Sequence, residues 1–404
     1  MSKPEKSSSM RGFPRPDGRF GIRNYLVVAY LVECAHHVAR KIATPFEDDG
    51  VQLIGFPGCY PSDYAHRMLC DLTTHPNVGA VLLVSLGCEE FQRSALKKHI
   101  EDSGRPVELL VIQKTGGTQA TIDAGRDWIK QQLSSLRMAP TIPIELKDLI
   151  IGTKCGGSDG LSGVTANPAV GHCFDLLVDA GSTVMFEETC ELIGCETHMA
   201  TRGIDANVSS ALLGAVDKAI RYHADLGHGS FGGGNISHGL STLEEKSLGA
   251  YAKSGSRQIQ GVLKPGERPD QKGLYLLDTV NDGPVRYGIP NINDTQTVTE
   301  MVASGCHMVI FTTGAGSVVG QAIAPLIKVV SNTRAFDAMT GDMDINAGLI
   351  ADGVVAVEDV GEEIFDSVVS VASGAETKSE TLGHHEFVLA YKTYQSMGPG
   401  CFPQ

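Results

Sequence analysis

From Tyr25 onward the chain alternates short apolar runs with longer stretches of helical period. The apolar runs at Tyr25–Val32, Val51–Phe56, Gly79–Leu86 and Val107–Gln113 read as buried strands. The stretches at Glu33–Phe46, Pro61–Leu72, Glu90–Asp102 and Thr118–Leu136 read as helices. Such alternation predicts a parallel sheet covered by helices. The segment Arg137–Lys147 holds Pro140 and Pro143 and keeps no helical period, so it reads as a linker.

A second alternating unit follows. Strands are expected at Leu149–Thr153, Thr183–Phe186, Gly273–Asp278, His307–Thr312 and near Ile327–Ser331, with helices at Pro168–Ala180, Cys190–Thr201 and Ala206–Leu226. Between them lies a Gly/Ser/His-rich loop, Gly227–Thr242, long enough to suggest function rather than plain connection. It runs into Thr242-Leu243-Glu244-Glu245, which has the spacing of a capping box. The expected architecture is α/β: two tandem α/β domains with mainly parallel sheets. A disordered tail covers 1–11, an N-terminal α/β domain 12–140 and a C-terminal catalytic α/β domain 146–404.

Length and composition agree. At 404 residues the chain exceeds one ordinary core, and 42% apolar residues suit a fully globular protein. Glycine, at 47 residues, gathers after apolar runs, where tight ligand-facing turns form. The formal charge of −14, with no basic run in the sequence, argues against nucleic acid as a partner. No apolar run is long enough to span a membrane, and the polar start lacks the apolar core of a secretory signal. Ten cysteines without a Cys-x-x-Cys pair suggest reduced thiols and a cytoplasmic protein.

The candidate chemistry sits in polar turns at the expected carboxyl ends of strands, where an open parallel sheet forms its pocket. The densest is Lys154-Cys155-Gly156-Gly157-Ser158-Asp159-Gly160, with an amine, a thiol, a hydroxyl and a carboxylate around three glycines. Others are Pro57-Gly58-Cys59, Gly87-Cys88-Glu89-Glu90, Gly116-Gly117-Thr118, Glu187-Glu188-Thr189, Thr312-Thr313-Gly314 and Asp342-Met343-Asp344. Each also has a structural reading. Buried cysteine usually behaves as a small hydrophobe. Thr118 could be a helix cap, and Glu244 and Glu245 could serve only to cap a helix. Asp342 and Asp344 would face one side of a strand. Among the histidines, His198 and His238 stand nearest to these turns. Neither a phosphate-binding loop, a dinucleotide-binding glycine pattern nor a G-x-S-x-G elbow is present, which disfavours hydride transfer and serine hydrolysis.

Together the motifs resemble the altronate/galactarate dehydratase family, which includes the large subunit of sulfolactate sulfo-lyase. The resemblance rests on Gly12-Phe13-Pro14-Arg15-Pro16-Asp17-Gly18-Arg19-Phe20-Gly21-Ile22-Arg23-Asn24, Gly87-Cys88-Glu89, Gly116-Gly117-Thr118 and Cys155 to Gly160 with Thr165-Ala166-Asn167-Pro168. Gly234-Asn235 leading to Gly239 through Gly249, Phe311-Thr312-Thr313-Gly314 and Asp342 to Asn346 complete it. Two positions depart from the family pattern: Ala315 stands where sugar-acid enzymes carry an arginine, and His238 where a small residue is common.

The resemblance implies a hydro-lyase that removes water from a 2,3-dihydroxy sugar acid such as altronate or galactarate to give a 2-keto-3-deoxy acid; the alternatives are the large subunit of a two-chain hydro-lyase or sulfo-lyase of the sulfolactate type, or a non-catalytic sugar-acid-binding paralogue. A metal, most readily Fe2+, would stabilise the enediolate, with an iron–sulfur cluster on Cys59, Cys88 and Cys155 as the alternative. The acid, base and carboxylate-holding groups would come from Lys154, Asp159, Glu188, His198, His238 and Lys246. Gly156, Gly157, Ser158, Asn167, Asn235, Thr313 and Gly314 would shape the substrate pocket. Cys59, Cys88, Cys155, Glu244 and Glu245 are the expected metal ligands. Single-chain relatives carry a small N-terminal SAF-type domain that is not expected here, so a small SAF-domain subunit is an expected partner, together with a homo-oligomeric state. The arginine-rich Arg15–Arg23 segment would offer it a docking edge.

Overall fold

The structure, a computed structural model, describes residues 10–227, 233–282 and 293–389. Four strands form an all-parallel sheet in the order Val51–Gly55, Tyr25–Tyr30, Val78–Ser85, Val107–Val111. A second parallel sheet has seven strands: Ile259–Leu263, Gly273–Leu277, Thr183–Phe186, Ile150–Cys155, Met308–Thr313, Leu326–Val330 and Ile345–Asn346. Helices cover the strands on both faces, so the strands read as unbroken apolar runs rather than alternating ones. Val78–Ser85 is buried at every position.

Chain order locates the pocket. The second sheet grows from Ile150–Cys155 toward Thr183–Phe186, then returns to add Met308–Thr313 on the other side. The direction reverses between Ile150–Cys155 and Met308–Thr313, and a crevice opens at such a reversal, beyond the carboxyl ends.

The two units share one core. Val27, Ile54 and Met68 of the first pack in the same apolar cluster as Met185, Met301, Phe311 and Leu326 of the second. A buried polar seam joins them as well. His307 accepts a hydrogen bond from the Ile150 amide at Nδ1 (3.0 Å), and its Nε2 meets Phe20 O at 2.9 Å. His75 does likewise, accepting from Asn77 N (3.1 Å) and reaching Cys306 O with Nε2 (3.2 Å). Each ring thus has one accepting and one donating nitrogen, which fixes it as neutral imidazole. Burial, above all, holds His307 down to about 4, and His75 well below the ordinary value.

The Gly12–Asn24 segment is a strap across this seam. Arg11–Pro14 pairs antiparallel with Phe20–Gly21 and with Ile142–Pro143, so the expected linker contributes a short strand. Arg15 donates to Pro76 O (2.6 Å), and Arg23 grips Glu380 with Nε (2.7 Å) and Nη2 (3.0 Å) while donating to Val371 O and Ala375 O. Bidentate charge-assisted bonds of this kind fix geometry strongly. Within the segment expected as a docking edge, Arg23 ties the two units together, while Arg15 is taken up by backbone carbonyls of the first unit.

Other expectations need adjusting. Met10 is buried and Arg11 lies in a strand, while 1–9 and 390–404 fall outside the described residues. The helix expected over Cys190–Thr201 shrinks to Glu196–Ala200, because Glu188–Cys195 winds through turns closed by the Glu188 carbonyl. The helix Asp294–Ala303 is buried from Gln296 to Ala303, with Gln296, Thr297, Thr299 and Glu300 buried among its apolar residues, so its sequence shows no apolar stripe set against a polar face. Val357–Ala372 and the edge strand Ile259–Leu263 also lie outside the expected set. Asp342 and Asp344 do not alternate along a strand. Asp344 ties down the Lys328 and Lys378 amides at 2.7 and 3.0 Å. No helix among the described residues is long and apolar enough to cross a membrane.

Candidate functional site

The strand Ile150–Cys155 ends in a turn that only glycines can make. Gly157 has φ +63, a conformation that side chains disfavour, and its carbonyl accepts from both Gly314 N and Ala315 N at 3.0 Å. A Cβ on Gly156 would lie 2.2 Å from Asp294 Oδ2 and 2.5 Å from Phe311 Cζ. This turn is laced to the turn after Met308–Thr313 across the crevice, where the fold places its pocket. The Gly234–Lys246 segment closes from a third side: Asn235 donates to Ser158 O (3.0 Å), and Gly160 N reaches His238 O (3.4 Å). Gly163 and Gly249 bring their backbones together, and a Cβ at either would press on the other's Cα at 3.0–3.1 Å.

A buried cluster of lysines and glutamates lies beneath. Lys154 Nζ is 3.0 Å from Glu187 and 3.6 Å from both Glu188 and Glu191. Glu188 has no exposed surface. It accepts from the Cys155 amide (2.9 Å), meets Cys155 Sγ at 3.3 Å, and is ion-paired with the equally buried Lys253. Lys246 Nζ lies 3.2 Å from Cys155 Sγ and 2.9 Å from Ser158 Oγ. Three ammonium groups therefore face three carboxylates around one thiol.

Electrostatics sort the members. For Lys154, burial opposes the charge, but Glu187, Glu188 and Glu191 outweigh it and hold the amine well above its ordinary value. Lys246 is also raised: burial works against the charge, and Cys155, Glu191 and Glu188 overcome it. Neither lysine has the lowered pKa that a proton-accepting role would need. The two glutamates diverge. Burial would raise Glu188, but Lys154, Lys253 and Lys246 hold it down to about 2. Burial pushes Glu187 up to about 7; Lys154 restrains it, and Glu191 and Glu188 add to the rise.

The sequence candidates divide accordingly. Lys154, Cys155, Ser158, Glu188 and Lys246 meet in the cluster. Gly156, Gly157, Asn235, Thr313 and Gly314 wall it. Asn167 anchors the helix that carries Lys246, donating to Gly249 O at 2.9 Å. Thr312 Oγ1, Thr313 Oγ1 and Asn167 Oδ1 are buried without hydrogen-bond partners among the described residues, which leaves them polar capacity for a ligand. Asp159 is buried but fully engaged, by Ser162 and Ser331 at 2.7 Å and Asn332 at 3.0 Å, so it organises the turn. His198 is exposed, with its ring edge-on to Tyr251. His238 is exposed too, and its Nδ1 lies 2.7 Å from Gly234 O.

The expected metal ligands are not gathered. Cys155 is buried, whereas Cys59 and Cys88 are exposed on turns of the first sheet. Glu244 is exposed, and Glu245 accepts from Ser241 N and Oγ at 2.6 Å, a local cap. Among the described residues, no group of three or more His, Cys, Asp or Glu side chains is placed to hold a metal ion. In the cluster the carboxylates are already met by lysine ammonium groups. These residues do not fit a metal.

Three participants lie outside the residues singled out from sequence, Glu191, Lys253 and Asp294, and Glu187 is singled out there only as part of its acidic turn, without a role. Lys253 had a readable signal, since it follows Lys246 by two helical turns and so shares its face. Asp294 did not, because only the fold brings it over Gly156.

Comparison with known proteins adds the family. The model for the D-galactarate/altronate dehydratase C-terminal domain matches residues 146–395, and that for the D-galactarate dehydratase/altronate hydrolase second domain matches 12–137. Altronate dehydratase of Bacillus subtilis (strain 168) is 32% identical over 386 residues, covering 91% of this chain and 75% of that one. Galactarate dehydratase (L-threo-forming) of Escherichia coli (strain K12) is 32% identical over 416 residues, 96% of this chain and 77% of the relative. The (2R)-sulfolactate sulfo-lyase subunit beta of Chromohalobacter salexigens is 31% identical over 406 residues, 97% and 99% of the two chains.

Proposed function

The chain belongs to the D-galactarate/altronate dehydratase family and is an enzyme, a carbon–oxygen lyase; on that premise we propose that it removes water from a 2,3-dihydroxy sugar acid such as altronate or galactarate. The product would be a 2-keto-3-deoxy acid. The observation that carries the reading is the Lys154–Glu187–Glu188–Lys246 cluster at the sheet's reversal point.

The elimination needs a base for the proton on C2, an acid for the hydroxyl leaving C3, and positive charge near the carboxylate as it takes on enediolate character. The C2–H electrons form the C2–C3 double bond, the C3–O bond breaks, and water leaves. The resulting enol then takes a proton at C3 to become the ketone. Lys154 and Lys246 stay cationic and supply the positive charge. Glu187, with a pKa of about 7, changes protonation near neutral pH and is suited to carrying the proton. Glu188 stays anionic and orients the Cys155 amide and Lys253. The test is a screen of altronate, galactarate and related acids for 2-keto product. Absence of product with every acid would count against the reading.

A second reading has a specific support. The chain is 31% identical to the sulfo-lyase subunit beta over 406 residues, a likeness as strong as that to the dehydratases. On that reading the chain is the large subunit of a two-chain hydro-lyase or sulfo-lyase, completed by a small partner. Release of sulfite from (2R)-sulfolactate, rather than water from a sugar acid, distinguishes it.

A further inference from the structure

At the edge of the second sheet opposite the lysine–glutamate cluster lies a cavity of about 240 Å³. Its walls include Arg19, Phe20, Asp148, Arg268, Lys272 and His307. Three strands that begin here, Ile150–Cys155, Gly273–Leu277 and Met308–Thr313, end at the candidate active site. At about 3.3 Å per residue that separates the two by roughly 16 Å.

The cavity is basic in a chain whose formal charge is −14. The sequence shows no basic cluster because its members are far apart along it. Folding brings Arg19 from the strap beside Arg268 and Lys272, which precede the strand Gly273–Leu277. Their donors are not used up. A guanidinium carries five N–H groups. Arg19 uses only Nη2, toward Asp17 and Thr74 O at 2.6 Å. Arg268 makes one long bond of 3.4 Å, to Asp71. Lys272 donates to Lys147 O and keeps two more protons. No further acceptor meets these three side chains among the described residues.

Carboxylates offset only part of this charge: Asp148 lines the cavity, its carboxylate accepting from the Glu145 amide at 2.8 Å, Asp17 is shared between Arg19 and Arg105, and Asp71 pairs with Arg268. The remaining repulsion is felt: Arg268 is held below its ordinary value by burial and then by Arg19. The cavity is smaller than the roughly 300–1,000 Å³ of drug-sized pockets, so its ligand must be compact.

We propose that this cavity is a second, non-catalytic site for a compact dianion, phosphate or a short dicarboxylate, held by Arg19, Arg268 and Lys272. Phosphate and dicarboxylates share the charge and the paired oxygens that guanidinium forks bind. The site lies outside the lysine–glutamate cluster and does not depend on which acid that cluster transforms.

The test is calorimetric titration of the full chain with inorganic phosphate and, separately, with malonate, at ionic strength matched by sodium chloride. We expect saturable binding of one anion per chain. The Lys272→Glu and Arg268→Gln variants should each bind at least tenfold more weakly, with turnover unchanged without the anion. If Arg268→Gln unfolds because Asp71 loses its partner, the exposed Lys272→Glu variant decides. A preference for phosphate or for malonate identifies the source, and either supports the site. A response that fails to saturate, or undiminished binding in Lys272→Glu, overturns it.

Discussion

Lys154 Nζ and Glu187 Oε2 lie 3.0 Å apart with both side chains only 3% exposed. Burying an ion pair is a poor route to stability, because the desolvation cost often exceeds the attraction. Here the pair belongs to a group of six charges beside a buried thiol at a sheet reversal. Retention of such an arrangement is better explained by chemistry than by folding.

Removing the shared cation should be costly. In Lys154→Met, three buried carboxylates lose their common partner, and we expect a loss of roughly 3–5 kcal/mol in urea unfolding. Adding Glu187→Gln should recover part of it, since one of the stranded charges is then gone. A loss below about 1 kcal/mol in the single variant would mean that water reaches the cluster.

Glu187 should also set a pH dependence. Its pKa of about 7 gives kcat/KM a limb near pH 7 that Glu187→Gln abolishes. Glu188→Gln should lower the rate and leave that limb in place, because Glu188, held to about 2, remains ionised throughout. The stability effect has the opposite sign to that of an ordinary ion-paired carboxylate. Glu187 is raised above its unfolded value, so its contribution is full below about pH 4.5 and is lost as pH rises to about 7. Unfolding of Glu187→Gln against wild type over that range measures it.

At the seam the sign reverses again. His307 is held down to about 4, so the unfolded chain takes up its proton first as pH falls below about 6.5. Its contribution is full above that value and is lost by about pH 4, roughly 3 kcal/mol in all. Stability between pH 7 and pH 4.5 should fall less steeply in His307→Gln, although that variant starts lower. Parallel slopes would show that the ring is not kept neutral by the fold.

Gly156→Ala tests the crevice itself. The added methyl would collide with Asp294 and Phe311, so the turn must shift. We expect kcat/KM to fall by at least about 10²-fold, as positioning losses of about 1 Å do, with far-ultraviolet dichroism unchanged. Near-normal kinetics would place the reacting groups elsewhere.

Much of this architecture could be read from the chain. Apolar runs as long as Val78–Ser85 mark parallel strands, and the polar turns after them mark the pocket edge. Lys154, Cys155, Ser158 and Glu188 were readable because they sit in those turns. What was not readable depends on tertiary partners. Asp159 looks like a free carboxylate in sequence, and only Ser331 and Asn332, far along the chain, show that it is engaged. Glu187 and Glu188 are identical neighbours in sequence, yet their pKa values part because Lys253 and Lys246 approach only one of them. The Arg15–Arg23 segment looked like an open basic edge, and the Glu380 that engages Arg23 comes from the far end of the fold.

The most direct measurement follows the elimination itself. Altronate, galactarate and (2R)-sulfolactate are incubated with the purified chain in D2O, and product is followed by proton NMR. Wild type should convert at least one acid to a 2-keto product with deuterium at C3. Glu187→Gln and Lys246→Met should each slow conversion by at least about 10²-fold while remaining folded, the loss typical of a removed proton carrier or electrostatic stabiliser. Conversion at the wild-type rate in both folded variants would contradict the assignment of this cluster as the reacting centre.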